Sequence, residues 1–427
     1  MWPNITLVFL FICVFIWSIK HKYKLLVLIS AIWLSTAIVS SFYSLNPYIV
    51  MSKELLLEPY LYLFGCFLIC IYPLYAAEKL NISQKIIIYN SDIFNITILV
   101  LALVSYEPLL ETLIRISTKG IDNLADVYIS ERAGTNFDSR GYFSFVGRFF
   151  FNIVDYFKFI SVPLFLFYLT LPKRKIFITI GLACAVLNPV MFNLANGQRF
   201  LLVLTFYSFI FNFILLIPLF AKSVIKKILR YGLISLGMLL ILFASISISR
   251  FGKNSDYDAA GYGGIYQVLR YFGESFYNFN TEGYWIKNHT WGRNSFTTYY
   301  SYFDPNNSYS IGKQNEITGI ITNIFYTYIG NFVIDFGKVI TTIIFLISSI
   351  LLTSKVKRIR KYLKLGNLIL ISLYANIILF GTTYFVYQNG FIHMVWTLLY
   401  IIILNGCTTN RDGLRIVKKE YGTKRNS

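Results

Sequence analysis

The sequence predicts an all-α polytopic membrane protein with about eleven transmembrane helices, and three observations carry that prediction. Hydrophobic residues make up 56% of the 427 positions and charged residues only 14%, with a mean hydropathy of +0.59, far more apolar than a soluble core requires. Apolar runs of roughly 18 to 22 residues recur along most of the chain, each long enough to cross about 30 Å of hydrocarbon as a helix. Lysine and arginine gather in short tracts directly beside those runs, the distribution that sets topology. A transmembrane barrel would show alternating segments of roughly ten residues instead. The formal charge of +19 is therefore topological information and does not call for a nucleic-acid partner.

The first run, Ile5 to Ile19, is followed by Lys20, Lys22 and Lys24. A cleaved signal peptide has the opposite polarity, so this reads as a retained helix with its N-terminus outside. A second span, Leu25 to Ser44, leads to a short loop with Lys53, Glu54 and Glu58. The third covers about Pro59 to Ala77 and the fourth about Ile86 to Tyr106, with Asp92 and Asn95 inside it. An external loop, 107–148, is too polar to span. The fifth run, Phe149 to Leu171, stops at Pro172-Lys173-Arg174-Lys175, and the sixth extends from Ile176 to about Leu194. A tight turn, Ala195 to Arg199, precedes the seventh, Phe200 to Phe220. Lys222, Lys226, Lys227 and Arg230 mark the inside before the eighth, Gly232 to Ser249.

A second, larger external loop covers 250–318. The ninth span, about Phe332 to Leu352, meets the most basic tract, Lys355 to Lys364. The tenth (Leu365 to Tyr387) and eleventh (Phe391 to Leu404) form a hairpin, and the basic tail from Arg411 stays inside. This count puts every dense Lys/Arg tract on the cytoplasmic side, with the C-terminus there too. The chain reads as one membrane domain over residues 1–427.

Arginines outside are informative because anchoring does not require them there. Arg115, Arg132, Arg140, Arg148, Arg199, Arg250, Arg270 and Arg293 all map to the outer side or its boundary. A guanidinium binds phosphate or carboxylate bidentately and keeps its charge, which suits a pyrophosphate at the outer leaflet. The competing reading pairs each with a loop carboxylate or a lipid headgroup. The five cysteines sit in or beside apolar runs, without metal spacing or a disulfide framework.

At the centre of the large loop, Gln267, Arg270, Tyr271, Glu274 and Asn278 follow one helical side, and Val268, Leu269, Phe272, Phe276 and Phe279 the other. Such a helix is expected to lie on the membrane domain with its polar side towards a cavity, and to be interrupted at Gly273. An Arg270–Glu274 pair at i,i+4 is equally an ordinary ion pair contributing roughly 0.3 kcal/mol. The same loop holds many tyrosines and tryptophans, which stack on sugars or sit at a membrane interface. His289 is the one histidine in an outer loop.

These pieces resemble the Wzy-type polymerases of oligosaccharide repeat units, which build O-antigen and related surface polysaccharides. The likeness rests on Leu124-Ala-Asp126-Val-Tyr128-Ile-Ser-Glu-Arg132, Asn196-Gly197-Gln198-Arg199, Arg270-Tyr-Phe-Gly273-Glu274 through Asn278-Phe279-Asn280, Tyr328 with Asp335-Phe336-Gly337, and the spacing of Arg250 and Gly261. The resemblance implies a GT-C-like architecture in a bacterial cytoplasmic (inner) membrane. It implies inverting, metal-independent glycosyl transfer between two undecaprenyl-pyrophosphate-linked oligosaccharides at the outer face, without a cofactor. A chain-length regulator is a further partner of such enzymes. Carried onto this chain, Arg250, Arg270 and Arg199 stand nearest the pyrophosphates, Glu274 serves as base, and Arg132, Tyr128, Tyr271 and Asn278 bind substrate. Lipopolysaccharide or capsule would be the product.

The nearest rival is the O-antigen ligase class, which shares the lipid-linked donor and a large outer loop. A flippase or other transporter is the rival of another class, though such proteins favour intramembrane charges and paired half-repeats.

Overall fold

The computed structural model describes residues 2–45, 54–119, 140–196, 198–232, 263–297, 299–300, 311–322, 324–359, 361–388, 390–406 and 414–417, with isolated positions 237 and 241. Among the described residues, seven helices are long and apolar enough to cross a membrane, or eight if one bent pair forms a single span. Two further apolar helices are shorter. The expected eighth span, 232–249, lies almost wholly outside the described residues. The chain divides into two compact units. One comprises Met1–Leu80, Ser247–Arg358 and Tyr374–Val395; the other comprises Asn81–Ile246, Ile359–Leu373 and Trp396–Ser427.

The first unit is framed by α1 (Trp2–Lys20), α2 (Lys24–Ser44) and α3 (Leu57–Lys79). The Nδ2 of Asn4 donates to Ser44 Oγ at 2.7 Å, closing α1 and α2 as a hairpin. Glu78 runs α3 back beside them, its two carboxylate oxygens accepting from Leu25 N at 2.9 Å and Leu26 N at 3.1 Å. A carboxylate there satisfies helix-end amides that have no intrahelical acceptor and faces the positive end of the α2 dipole. The three helices thus share one lysine-rich end, and the other end, about 33 Å away along α3 at 1.5 Å per residue, carries the loop chemistry.

Helix α10 (Gly263–Thr281) enters that second end. It is continuous through Gly273, and the glycine is there for proximity. A Cβ on Gly273 would stand 2.9 Å from both Ser40 N and Val39 O on α2. From Gly273 to Thr281 every residue is buried, with Phe276 packed between Phe11 (6.2 Å) and Trp33 (5.6 Å) in mid-helix. Asn280 donates to Leu56 O at 2.7 Å and accepts from Leu56 N at 3.0 Å. The expected surface-lying helix with a break at Gly273 is replaced by one embedded among the spans.

Beyond the short helix α11 (Ile311–Thr318), helix α12 (Thr327–Lys357) breaks at Gly337, whose φ is +74° and ψ 170°. The rings of Tyr328 and Phe345 lie 5.4 Å apart and those of Phe332 and Phe345 5.3 Å apart. In a straight helix those pairs would be separated by about 25 and 20 Å. Limb 327–336 therefore folds back beside limb 338–357, so the ninth span begins at Lys338 rather than Phe332. Tyr328 reaches Trp33 at 6.1 Å, near the middle of α2. All of Thr327 to Asp335 is buried, as a re-entrant segment requires in hydrocarbon. Its N-terminal amides are satisfied by Thr383 O and Gly381 O, each at 2.9 Å.

In the second unit, Ile86–Asn90 is strand β1, flanked by β2 (Tyr362–Lys364) in parallel and β3 (Leu414–Val417) antiparallel. The fourth span accordingly starts at Ser91, where the Asn90 side chain caps α4 (Ser91–Val104) by accepting from Asp92 N and Ile93 N. Helix α5 (Tyr106–Lys119) carries on from it, and Ser91–Thr118 together qualifies as a span. The expectation of a polar loop from Glu107 missed this because α5 is amphipathic with its apolar face outward. Leu110, Leu113 and Ile114 are exposed while Thr112 and Arg115 are buried, the arrangement lipid favours.

The fifth expected span is also revised. Helices α6 (Phe145–Tyr156) and α7 (Ser161–Tyr168) meet at 82°. Asp155 and Lys158 pair at 3.1 Å at that corner, where a straight span would carry both charges into lipid. Helices α8 (Ile176–Ala195) and α9 (Phe200–Leu216) match the sixth and seventh runs. Helices α13 (Leu365–Phe380) and α14 (Phe391–Gly406) match the last two, the tenth ending seven residues early.

Candidate functional site

The polar side of α10 builds a graded set of contacts in the first unit. Arg270 Nε donates to Glu274 Oε2 at 2.6 Å, and Asn278 Nδ2 donates to Glu274 Oε1 at 3.2 Å. Successive residues four apart share a helix face, so one turn per step aligns the three. Asn278 Nδ2 also reaches the carbonyl of Phe325 at 3.1 Å, tying the helix to the entry of the re-entrant limb. The Glu274 side chain is 6% exposed and that of Arg270 46%. A buried carboxylate held by a guanidinium and an amide is electrostatically provided for, while the guanidinium reaches out from it.

Aromatic rings begin at the next residue of the helix. Tyr271 meets the edge of Phe325 at 5.4 Å, and Phe325 stacks on Tyr384 at 5.8 Å with 3° between planes. One turn below Asn278, Tyr326 donates its hydroxyl to Glu282 Oε2 at 2.8 Å. A fixed cation beside aromatic surface is suited to anionic and carbohydrate ligands alike.

Asp335 organises the neighbouring loop. Its Oδ1 accepts from Gly292 N at 3.1 Å, Asn294 N at 2.9 Å and the Thr290 hydroxyl, and its Oδ2 accepts from Ser295 N at 2.7 Å. Residues 290–295 therefore wrap one buried carboxylate in backbone amides, a nest-like arrangement. His289 packs over Gly337, its Nε2 only 2.7 Å from where a Cβ would stand. The Asp335-Phe336-Gly337 tripeptide combines a loop anchor with a turn that only glycine accommodates.

Several outer arginines fall in the second unit. Arg115 lies buried with its guanidinium 4.0 Å from the Tyr142 ring centre. Burial pushes the Tyr142 hydroxyl up to about 12, although the nearby Arg115 charge opposes the shift. Arg140 donates to Asn152 Oδ1 at 2.7 Å and approaches Asp155 at 3.6 Å. Arg148 donates to the Arg140 carbonyl at 3.4 Å. Arg199 is buried at the N-cap of α9.

Of the residues singled out in the sequence, Arg270, Tyr271, Glu274 and Asn278 come together. Arg199 belongs to the other unit. Arg132, Tyr128 and Arg250 lie outside the described residues. Sequence reasoning missed the Phe325 carbonyl, Glu282 with Tyr326, and the role of Asp335. The first two carry no local signal, but the third is visible as an acid two residues before a glycine at the start of an apolar run. Among the described residues no group of three or more His, Cys, Asp or Glu side chains is placed to hold a metal ion. No protein-family model, curated protein or solved structure matches this chain.

Proposed function

We propose that this chain is a polymerase of lipid-linked oligosaccharide repeat units, acting at the membrane face where the first unit carries its loops. In this reading the lysine-rich end is cytoplasmic. An acceptor hydroxyl oxygen attacks the anomeric carbon of the donor glycan, the bond from that carbon to the pyrophosphate oxygen breaks, and its electron pair leaves on the lipid pyrophosphate. The hydroxyl proton passes to a base, and configuration inverts. The observation that supports the reading is the half-exposed Arg270 guanidinium, held by the Glu274 carboxylate that Asn278 fixes in turn. A cation whose position is fixed beforehand stabilises charge developing on a leaving group without reorganisation.

The same geometry refines the role of Glu274. Each of its oxygens accepts one hydrogen bond, Oε2 from Arg270 and Oε1 from Asn278, so the carboxylate fixes the guanidinium and is itself fixed by the amide. In this proposal Glu274 chiefly positions Arg270. The test uses purified protein in liposomes with lipid-linked repeat units. A polysaccharide ladder supports polymerisation. Transfer only onto a lipid A core acceptor would identify a ligase, and movement of units across the bilayer without polymer would identify a flippase.

A further inference from the structure

Limb 338–357 of α12 turns a continuous apolar stripe outward: Val339, Ile343, Ile347, Ile350 and Leu351 are all exposed. The stripe is bracketed by cations, Lys338 above and Lys355 below, about 17 residues and so ~26 Å apart along the helix. That length is close to the hydrocarbon thickness of a bilayer, roughly 30 Å.

The upper bracket is an assembled structure. Lys338 Nζ sits 4.1 Å from the centre of the Tyr284 ring and 5.8 Å from that of Trp285. Its backbone carbonyl accepts from Tyr62 at 2.8 Å. Tyr284 is itself fixed by donating to Glu58 Oε1 at 2.6 Å, and the Trp285 indole N–H donates to Asn280 O at 2.8 Å. With its N–H satisfied inward, the Trp285 ring stays 41% exposed, presenting an apolar face at the top of the lipid-facing stripe. An ammonium held on aromatic faces beside an exposed indole is the chemistry that recognises a phospholipid phosphate over the first methylenes of its acyl chains.

We infer that the Lys338–Tyr284–Trp285 cluster is a docking surface for bulk phospholipid headgroups and fixes the depth of the first unit in the bilayer. Bulk phospholipid is the occupant because the stripe below is open to lipid over its whole length. The consequence concerns the candidate site: Tyr328 meets Phe345, about seven residues or ~10 Å below Lys338. The turn next to Phe325, to which Asn278 bonds, therefore lies beneath the phosphate plane.

The test uses the full chain in nanodiscs of phosphatidylcholine and phosphatidylglycerol. The emission lost on Trp285→Phe is expected to be quenched at least ~2-fold more by lipid brominated near the glycerol than near the acyl methyl end. Lys338→Glu should halve that shallow quenching and Lys338→Arg should retain it. Quenching by aqueous iodide alone, or an unchanged profile in Lys338→Glu, overturns the inference. So does a bromine effect that appears only after a polyprenyl phosphate is added, since the occupant would then be a substrate lipid. A second measurement needs no substitution: a phospholipid with a photoreactive headgroup should label the 283–288 peptide of the unaltered chain, and absence of that label also overturns it.

Discussion

Gly273 of α10 lies so close to Ser40 of α2 that an added Cβ would stand 2.9 Å from the Ser40 amide nitrogen. Both near atoms, Ser40 N and Val39 O, belong to the α2 backbone, so nothing flexible can yield. Gly273→Ala is expected to destabilise the first unit by about 1–3 kcal/mol through overpacking, despite the better helix propensity of alanine. Thermal unfolding in detergent checks this, and an unchanged or raised midpoint would mean that the two helices are not in contact there.

Arg270 and Glu274 yield a graded series. Glu274→Gln keeps an acceptor for Arg270 but removes the charge, and polymer formation should fall about 10-fold, in line with a charge-assisted hydrogen bond of roughly 1.5–3 kcal/mol. Glu274→Ala removes both contacts and should fall further. If Glu274 were an obligatory base, Gln and Ala would be equally inactive, so initial rates of the two variants decide between the roles.

Asp335 is the acceptor for the Gly292, Asn294 and Ser295 amides. Asp335→Ala leaves those donors buried without a partner, at roughly 1–3 kcal/mol each. Limited proteolysis should therefore cut residues 286–300 much faster than in the unaltered chain. Equal cutting rates would show that the loop is held by other contacts.

Gly337→Ala places a side chain in a region of backbone space open almost only to glycine, at about 1–3 kcal/mol, and also drives it into His289. Gly337→Ala combined with His289→Ala should recover the steric part alone. Stability measured for both single variants and the double separates backbone strain from side-chain collision; full recovery in the double would exclude the strain.

Tyr142 supplies a pH dependence. Its folded-state hydroxyl titrates near 12 because of burial, against an ordinary value of 10.0. The unfolded chain therefore loses this proton first as pH rises, so the contribution to stability is complete below about pH 10 and disappears towards pH 12. Tyr142→Phe should flatten the alkaline fall in melting temperature over that window. An unchanged slope would show that Tyr142 does not contribute to it.

The spanning helices were largely legible because hydrocarbon imposes one rule along each run: a stretch long enough and without charge. Runs such as Ile5 to Ile19 and Phe200 to Phe220 obey it and recur as α1 and α9. The rule fails where polar groups find partners inside the protein. Asp155 with Lys158 turns the fifth run into a corner, and Arg115 points inward from a helix that hydropathy alone reads as loop. Gly337 shows why the re-entrant limb was hidden: a single backbone angle reverses an apolar sequence that is otherwise continuous. At the candidate site, the alignment of Arg270, Glu274 and Asn278 followed from helical spacing. The tie from Asn278 to the Phe325 carbonyl, 47 residues away, is one that no local pattern encodes.

If Arg270 is the fixed cation of glycan transfer, its removal must show in the initial rate of polymer formation by Arg270→Ala in liposomes supplied with lipid-linked repeat units. A loss of at least ~100-fold is expected, the scale of removing one preorganised charge stabiliser, in a chain that remains folded although Glu274 has lost its charge partner. Polymer formed at the unaltered rate by a folded Arg270→Ala chain would contradict it.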